Sequence, residues 1–387
     1  MFYKTESEVT KRWKDDKVLL SIICVAYNHE RYIEQALDSF LIQETNFAFE
    51  IVINDDCSTD NTARIIKAYQ DKYPKIIKPI YQKENCFQKN INFMKEIFIP
   101  VIQGVYIALC EGDDYWTDSY KLQKQVDFLE ANPEFMGCSH NTRYLVDGRE
   151  TDNLLVTNPK DIFTFEDFIN SEYLHTSSMV YRYEGEVKTK VNKYLDLLPI
   201  NAAPDSYFLL SFSFFGPIKF YNDIMSVYRC GKQGVWISLP KYQRRIKTIQ
   251  SVISYSHIFG EEYKDKFLIR CIFEILNTED ENKEESFVSD IFLTLDKTYH
   301  VSMIKSLFSL KKHDDKTILM LEQELERKVV KINECNNYIN QLEKSKKQLE
   351  QTLYSNKWYL FGQMSFKRKV FIIIKTFVYK IFMIKNK

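Results

Sequence analysis

The chain predicts an α/β protein with a mainly parallel sheet. Between Val18 and Cys138, short apolar runs alternate with segments of helical periodicity, as in successive βαβ units. The strand-like runs are apolar throughout rather than alternating, which expects helices on both faces. Acidic clusters follow directly after two of these runs, at the sheet edge where ligands collect in open α/β folds.

Taken in order, Leu19 to Ala26 is expected as the first strand. Glu30 to Gln43 places Ile33, Ala36, Leu37, Phe40 and Leu41 on one helical stripe. Glu50 to Asn54 forms a second strand, and Ser58 or Thr59 is expected to cap a helix carrying Ile65, Ile66, Tyr69 and Tyr73. Ile76 to Tyr81 and Val105 to Cys110 are the next strands. An amphipathic helix over Lys121 to Ala131 stops before Asn132-Pro133. Residues 139 to 240 are less regular and read as a smaller half completing a cleft, with a helix over Asp205 to Phe215. Lys241 to about Lys312 reads as helical.

From Ile318 to Leu353 a heptad runs through Leu325, Ile332, Ile339, Leu342 and Leu349, with Lys328 and Lys346 interrupting it, which predicts a coiled coil and a homo-oligomer. Phe366 to Lys387 contains seven Lys or Arg, no Asp or Glu, and many interleaved apolar residues. Such a tail is expected to lie on an anionic membrane surface. The resulting organisation is an extension over 1–17, two halves of one catalytic region over 18–138 and 139–240, a helical region over 241–313, a coiled coil over 314–357 and a basic amphipathic tail over 358–387.

Lys plus Arg equals Asp plus Glu at 53 each, which removes a whole-chain argument for nucleic acid. The eight cysteines show no CxxC pair and no zinc spacing, so they are expected as free thiols in a reducing compartment. With a polar start and no run of 18 uncharged apolar residues, the expectation is a cytoplasmic protein, peripheral on the inner face of the cell membrane.

After Ile51-Val52-Ile53 comes Asn54-Asp55-Asp56-Cys57-Ser58-Thr59-Asp60, and after Ile107-Ala108-Leu109-Cys110 comes Glu111-Gly112-Asp113-Asp114. Two acidic clusters at one sheet edge repel unless they share a cation or bind a ligand. Mg2+ or Mn2+ takes a few carboxylate oxygens and fills its remaining positions with water and phosphates, so Glu111 and Asp113 are the expected metal ligands, with Gly112 allowing close approach of a diphosphate.

Together with Ser21-Ile22-Ile23-Cys24-Val25-Ala26-Tyr27-Asn28 and the continuation Tyr115-Trp116, these motifs resemble the family 2 glycosyltransferases of the GT-A fold over about residues 18 to 240. The resemblance implies inverting transfer from a nucleotide sugar, with a UDP-sugar favoured, to a glycan or lipid-linked acceptor in surface-polysaccharide synthesis. It implies that Tyr27, Asn28, Asp55, Asp56, Glu111 and Asp114 bind donor, that Glu111 with Asp113 is the DxD element, and that Asp205, after Pro204 at a helix start, is the general base. Glu111 departs from the usual Asp of that element, which leaves the ribose contact open. Tyr228 to Trp236 resembles the family's closing loop. Arg229 and Lys232 there would offset leaving-group charge, and Trp236 with His175 would line the acceptor pocket; the His that relatives often carry in this loop is missing.

A nucleotidyltransferase is the competing enzyme class, but the loop after the first strand, Tyr27-Asn28-His29-Glu30, is not the Gly-rich loop such enzymes use. No GxGxxG or P-loop occurs either. The competing non-enzyme reading is a silent membrane scaffold whose acidic clusters bind nothing.

Overall fold

The first strand, β1 (Val18–Ala26), is buried along most of its length and is flanked by two parallel partners, β2 (Ala48–Asp55) and β4 (Tyr106–Leu109). This computed structural model describes residues 4–197, 204–230 and 239–276. The expected coiled coil, the basic tail, Lys232 and Trp236 lie outside those residues. Up to Cys271 the chain forms one compact unit.

Between the strands run α2 (Ile33–Leu41), α3 (Thr62–Lys72) and α4 (Lys121–Ala131), with a short α1 (Glu6–Thr10) before β1. The stripe Ile33, Ala36, Leu37, Phe40 and Leu41 is buried as its spacing predicts. Each of the large side chains in it contributes about 1.5–3 kcal/mol of transfer free energy. The cap of α3 differs from expectation. Asp60 accepts from both the backbone N and the hydroxyl of Thr62 at 2.9 and 2.6 Å, while Ser58 and Thr59 turn instead to Asn28. An aspartate nearer the helix start meets its free N–H groups more directly.

β3 (Ile77–Tyr81) completes the parallel half on the outer side of β2. At the end of these strands remote from the acidic loops, buried Glu50 accepts from Ser21 Oγ at 2.7 Å and from Gln103 N at 2.8 Å. The backbone passes so close there that a Cβ on Gly104 would lie 2.5 Å from Ser21 N, so only glycine fits.

The remaining strands are β5 (Tyr115–Trp116), β6 (Gly137–Val146), β7 (Arg149–Leu154), β8 (Ile162–Phe163), β9 (Val180–Arg182) and β10 (Ile218–Cys230). The sheet order is β3-β2-β1-β4-β9-β6-β10-β5, with β7 on β6 and β8 on β10. The sheet is therefore mixed rather than mainly parallel: β9 pairs antiparallel with both β4 and β6, and β10 pairs antiparallel with β5 and β8. The α/β expectation holds, and beyond β4 only β6 and β10, among the described residues, pair parallel. The cause is connectivity. β4 is not followed by a helical crossover to a neighbour, and residues 139–230 extend the same sheet with strands of opposite direction. Helices α5 (Phe165–Ile169), α6 (Gly185–Leu195), α7 (Pro204–Ser213), α8 (Lys241–Ile258) and α9 (Glu261–Leu276) follow in this half. Phe165 gathers Phe214, Phe259 and Tyr263 around it, with ring centroids 4.8–5.2 Å away.

Candidate active site

Three loops meet at the carboxyl ends of β1, β2 and β4. The turn after β1 needs a left-handed residue, and Asn28 supplies it with φ 54°, a conformation asparagine tolerates better than most. Its backbone N–H donates to Ser58 Oγ at 2.9 Å and its Oδ1 accepts from Thr59 N at 2.8 Å, which ties the β1 loop to the β2 loop. Tyr27 beside it is 39% exposed, so its ring is available to a ligand.

The two aspartates after β2 have different tasks. Asp56 is buried and accepts from the backbone N–H groups of Cys86 and Phe87 at 2.7 and 3.1 Å, so both its oxygens hold the loop after β3. Asp55 uses one oxygen on Ser58 N, while its buried Oδ1 has no hydrogen-bond partner. Burial raises its pKa. An orphaned buried acceptor at a strand end is a group that a ligand donor can satisfy.

After β4 the chain enters Glu111-Gly112-Asp113-Asp114. Gly112 sits against the β1 loop and α2: a Cβ there would come within 2.9 Å of His29 Nδ1 and Ile33 Cδ1. Close packing of the loop onto β1 and α2 thus accounts for this glycine. Asp113 stays partly exposed, with His29 Nε2 3.9 Å from its Oδ2. Glu111 receives the Thr176 hydroxyl on Oε2 at 2.8 Å. Its pKa is pushed up to about 8, first by burial and then by the negative charges of Asp205 and Asp113.

Asp205 is in the first turn of α7, where the missing intrahelical partners and the helix dipole favour a carboxylate. Burial nevertheless raises its pKa to about 6, against the opposing effect first of its own backbone N–H and then of the Tyr173 hydroxyl. The negative charge of Asp205, from a distant part of the chain, thus adds to the rise at Glu111.

Asp114 is only 2% exposed and accepts from Arg229 N at 2.8 Å. Burial first, then Asp113 and Glu111, hold its pKa well above the carboxylate range. His175 lies behind it, with Nε2 3.8 Å from Asp114 Oδ2 and Nδ1 accepting from Ser177 N at 3.2 Å. Burial lowers the histidine to about 3, so the imidazole is neutral and contributes shape and a polar N–H rather than charge. The Arg229 guanidinium is sandwiched between Tyr32 and Tyr115, 4.8 and 5.1 Å from their centroids, and hydrogen-bonds Gln35. This arrangement anchors the start of the segment that continues into residues 231–238.

Beneath these loops lies a feature the sequence did not signal. Lys121 is fully buried, 4.3 Å over the Trp116 ring, and donates to Gln125 Oε1 at 2.7 Å. Burial lowers its pKa to about 7. Thr176 and Tyr173 were likewise missed as partners of the acids; the only hint was the run Thr176-Ser177-Ser178 beside His175.

The donor set suits a hard divalent cation. Glu111 and Asp113 offer carboxylate oxygens under excess negative charge, and Mg2+ or Mn2+ needs only one or two such groups when phosphates complete its shell. Among the described residues no group of three or more His, Cys, Asp or Glu is gathered tightly enough to hold a metal by itself, so a bound phosphate would have to share the task.

A family model described as Glycosyl transferase family 2 matches residues 21–187. Over those residues the chain is similar to that family. The matched segment contains Asn28, Asp55, Glu111, Asp113 and His175, and ends before Asp205 and Arg229. An uncharacterized protein of Mycobacterium tuberculosis is 36% identical over 228 residues, 58% of this chain and 63% of the relative. The Escherichia coli protein named UDP-Glc:alpha-D-GlcNAc-diphosphoundecaprenol beta-1,3-glucosyltransferase WfaP is 35% identical over 122 residues, 32% of this chain and 45% of that protein. The chain thus spans less than two thirds of the length of these curated relatives. Among solved structures, S. aureus TarS 1–349 is similar with a TM-score of 0.49 and 19% identity, over 75% of this chain and 79% of that one.

Proposed function

We propose that this protein is an inverting glycosyltransferase that moves a sugar from a nucleotide-sugar donor, UDP-linked in the first instance, to a hydroxyl of a glycan or lipid-linked acceptor in cell-surface polysaccharide synthesis. The observation that carries the reading is the pair of acid loops at the ends of β2 and β4, where Asp55 keeps a buried Oδ1 without a hydrogen-bond partner and Glu111 is followed by partly exposed Asp113. In this reading the acids after β4 serve the donor side, and Asp205 in the first turn of α7 serves the acceptor side. The name carried by the E. coli relative, with a UDP-sugar and a diphosphoundecaprenol-linked acceptor, supports this substrate class.

In this reading Tyr27, Asn28 and the free Oδ1 of Asp55 receive the nucleoside. Glu111 and Asp113 hold Mg2+ or Mn2+, which when bound neutralises the diphosphate and its developing charge. Asp205 takes the proton of the acceptor hydroxyl as that oxygen attacks the anomeric carbon from the face opposite the departing nucleoside diphosphate. Asp114, His175 and Arg229 form the wall that keeps the acid loop and the end of β10 together. Among the described residues no helix is long and apolar enough to cross a membrane. The basic tail 366–387 would bring the enzyme to an anionic surface, and the heptad 318–353 would join copies of the chain.

The test is a panel of UDP-, GDP- and dTDP-sugars, scored by release of nucleoside diphosphate and by protection against melting, with Mn2+ and with EDTA. Metal-dependent release with at least one donor supports the assignment; neither release nor protection with any donor refutes it.

A further inference from the structure

A lysine with no exposed surface is rare unless a carboxylate pairs with it. Lys121, in the first turn of α4, is such a residue. Its ammonium lies 4.3 Å over the Trp116 ring and donates to Gln125 Oε1 at 2.7 Å, and among the described residues no carboxylate forms an ion pair with it. Burial lowers its pKa to about 7, so the site disfavours the charge it holds. An apolar side chain would fill the same place without that penalty. The reason for a lysine therefore lies in what its ammonium donates to.

Gln125 is fully buried as well. Its Nε2 donates to Cys138 O at 2.7 Å and to Ser178 O at 2.9 Å, which uses both N–H groups of the amide. An amide has one donor end and one acceptor end. Turned over, it would set Oε1 against those two carbonyl oxygens, and Lys121 Nζ forbids this by drawing Oε1 to itself. Trp116, under the same ammonium, donates Nε1 to Ser177 O at 2.8 Å. Two consecutive carbonyls of the 3-10 turn Thr176–Ser178 are therefore held by the two side chains that Lys121 touches. Ser178 is fastened again through its hydroxyl, 2.7 Å from Ser139 Oγ. From this turn the Thr176 hydroxyl donates to Glu111 Oε2 at 2.8 Å. A ligand is held in place by the groups behind it, and a partner on a rigid support does this far better than one on a loose loop.

We propose that Lys121 is a positioning residue for the acid loop: by fixing the Gln125 amide and the Trp116 ring, it holds the turn from which Thr176 orients Glu111 towards a metal-bound diphosphate. The inference rests on the glycosyltransferase reading for its ligand. It adds a role for a residue that touches neither the metal nor the donor.

The experiment uses the full chain and reads two quantities: the Mn2+ concentration at which UDP protects against melting, and the melting temperature of the ligand-free protein in EDTA. The variants are Lys121→Met, Thr176→Val, the two combined, and Thr176→Ser. Lys121→Met keeps an apolar stem on the Trp116 ring and removes the donor. It should raise the Mn2+ requirement by about 10-fold, the scale for groups that support a metal ligand. The ligand-free melting temperature should fall by no more than about 3 °C, because relief of the buried ammonium offsets the orphaned Oε1. Thr176→Val should raise the requirement by about 10-fold, and Thr176→Ser, which returns the hydroxyl, should stay within about twofold of the unaltered chain. The combined variant should match Thr176→Val within about twofold, since both changes act through one contact. A Lys121→Met protein with a lower melting temperature and an unchanged Mn2+ requirement would make the lysine a packing residue and overturn the proposal. So would a combined variant in which the two increases multiply. Should Lys121→Met fail to fold, Lys121→Met with Gln125→Met replaces donor and acceptor together by apolar groups of similar shape; the same rise is expected, and an unchanged requirement overturns the proposal. If the unaltered chain shows neither donor turnover nor Mn2+-dependent UDP protection, the glycosyltransferase reading fails and takes this one with it. Normal protection in the unaltered chain with silent Lys121 variants would overturn the positioning role alone.

Discussion

Replacing Glu111 with Gln should make the metal-free protein more stable at pH 8 while removing its Mn2+-dependent binding of nucleotide. The carboxyl is raised from its ordinary 4.5 to about 8 in the folded chain. A folded-state pKa above the unfolded one means that the folded protein holds the extra proton, so stability present below about pH 4.5 is lost progressively as pH rises towards 8. At about 1.4 kcal/mol per pH unit, the full effect is on the order of 4 kcal/mol. Gln keeps an oxygen for the Thr176 hydroxyl but buries an amide with new hydrogen-bonding needs, so about 1–2 kcal/mol should be recovered. For a folded unit of this size that corresponds to a melting temperature higher by roughly 3–6 °C. Thermal melts in EDTA at pH 5, 6.5 and 8 should show the variant the less stable of the two at pH 5, where the charge effect has nearly gone and the amide cost remains, and the more stable at pH 8. An unaltered chain that is the more stable of the two at pH 8 would refute the crowding of charge deduced for this site.

Asp205→Asn should keep Mn2+-dependent UDP protection but lose about 100-fold or more in turnover, the usual scale for a missing general base; collapse of donor affinity at near-normal rate would remove that role. With Asp205 raised to about 6 and acting deprotonated on the proposed reading, kcat of the unaltered chain should rise from pH 5 to pH 7 and lose that limb in the variant. Gly112→Ala would place its Cβ 2.9 Å from His29 Nδ1 and Ile33 Cδ1, and should destabilise the fold by about 1–3 kcal/mol as overpacking does, measured by urea unfolding. Liposome co-sedimentation should show salt-sensitive binding to anionic vesicles by the full chain and none by a version ending at Gln363; equal binding by both would dismiss the tail as the anchor.

How far the sequence could be read depended on the kind of signal each element carries. Helix α4 was legible to its bounds because Lys121–Ala131 has an apolar stripe and a Pro two residues after its end. Strand β6 was not, because Ser139, His140, Asn141 and Thr142 are buried in it, and a polar run usually means a loop. Their side chains are satisfied inside, as where Thr142 and Ser226 share a hydrogen bond at 2.9 Å, and sequence does not reveal such pairing. The acidic loops were readable because each is contiguous and follows an apolar strand. Tyr173 and Lys121 were invisible because their roles come from partners brought near only by folding.

Strand β10 joins what the chain order separates. It lies between β6 and β5 in the sheet, and Arg229 near its end gives its backbone N–H to Asp114, 115 positions earlier. The segment that matches the family model stops at residue 187, short of this strand. A piece cut to 21–187 would leave β5 without its partner, an open edge on β6, and Asp114 buried with an unmet charge or proton. Exchange of that piece between relatives, as a way to graft donor preference, should therefore fail unless β10 travels with it. On the proposed reading, the heritable unit of specificity is a closed circuit of backbone rather than a stretch of sequence, and evolution by recombination would have to cut outside it.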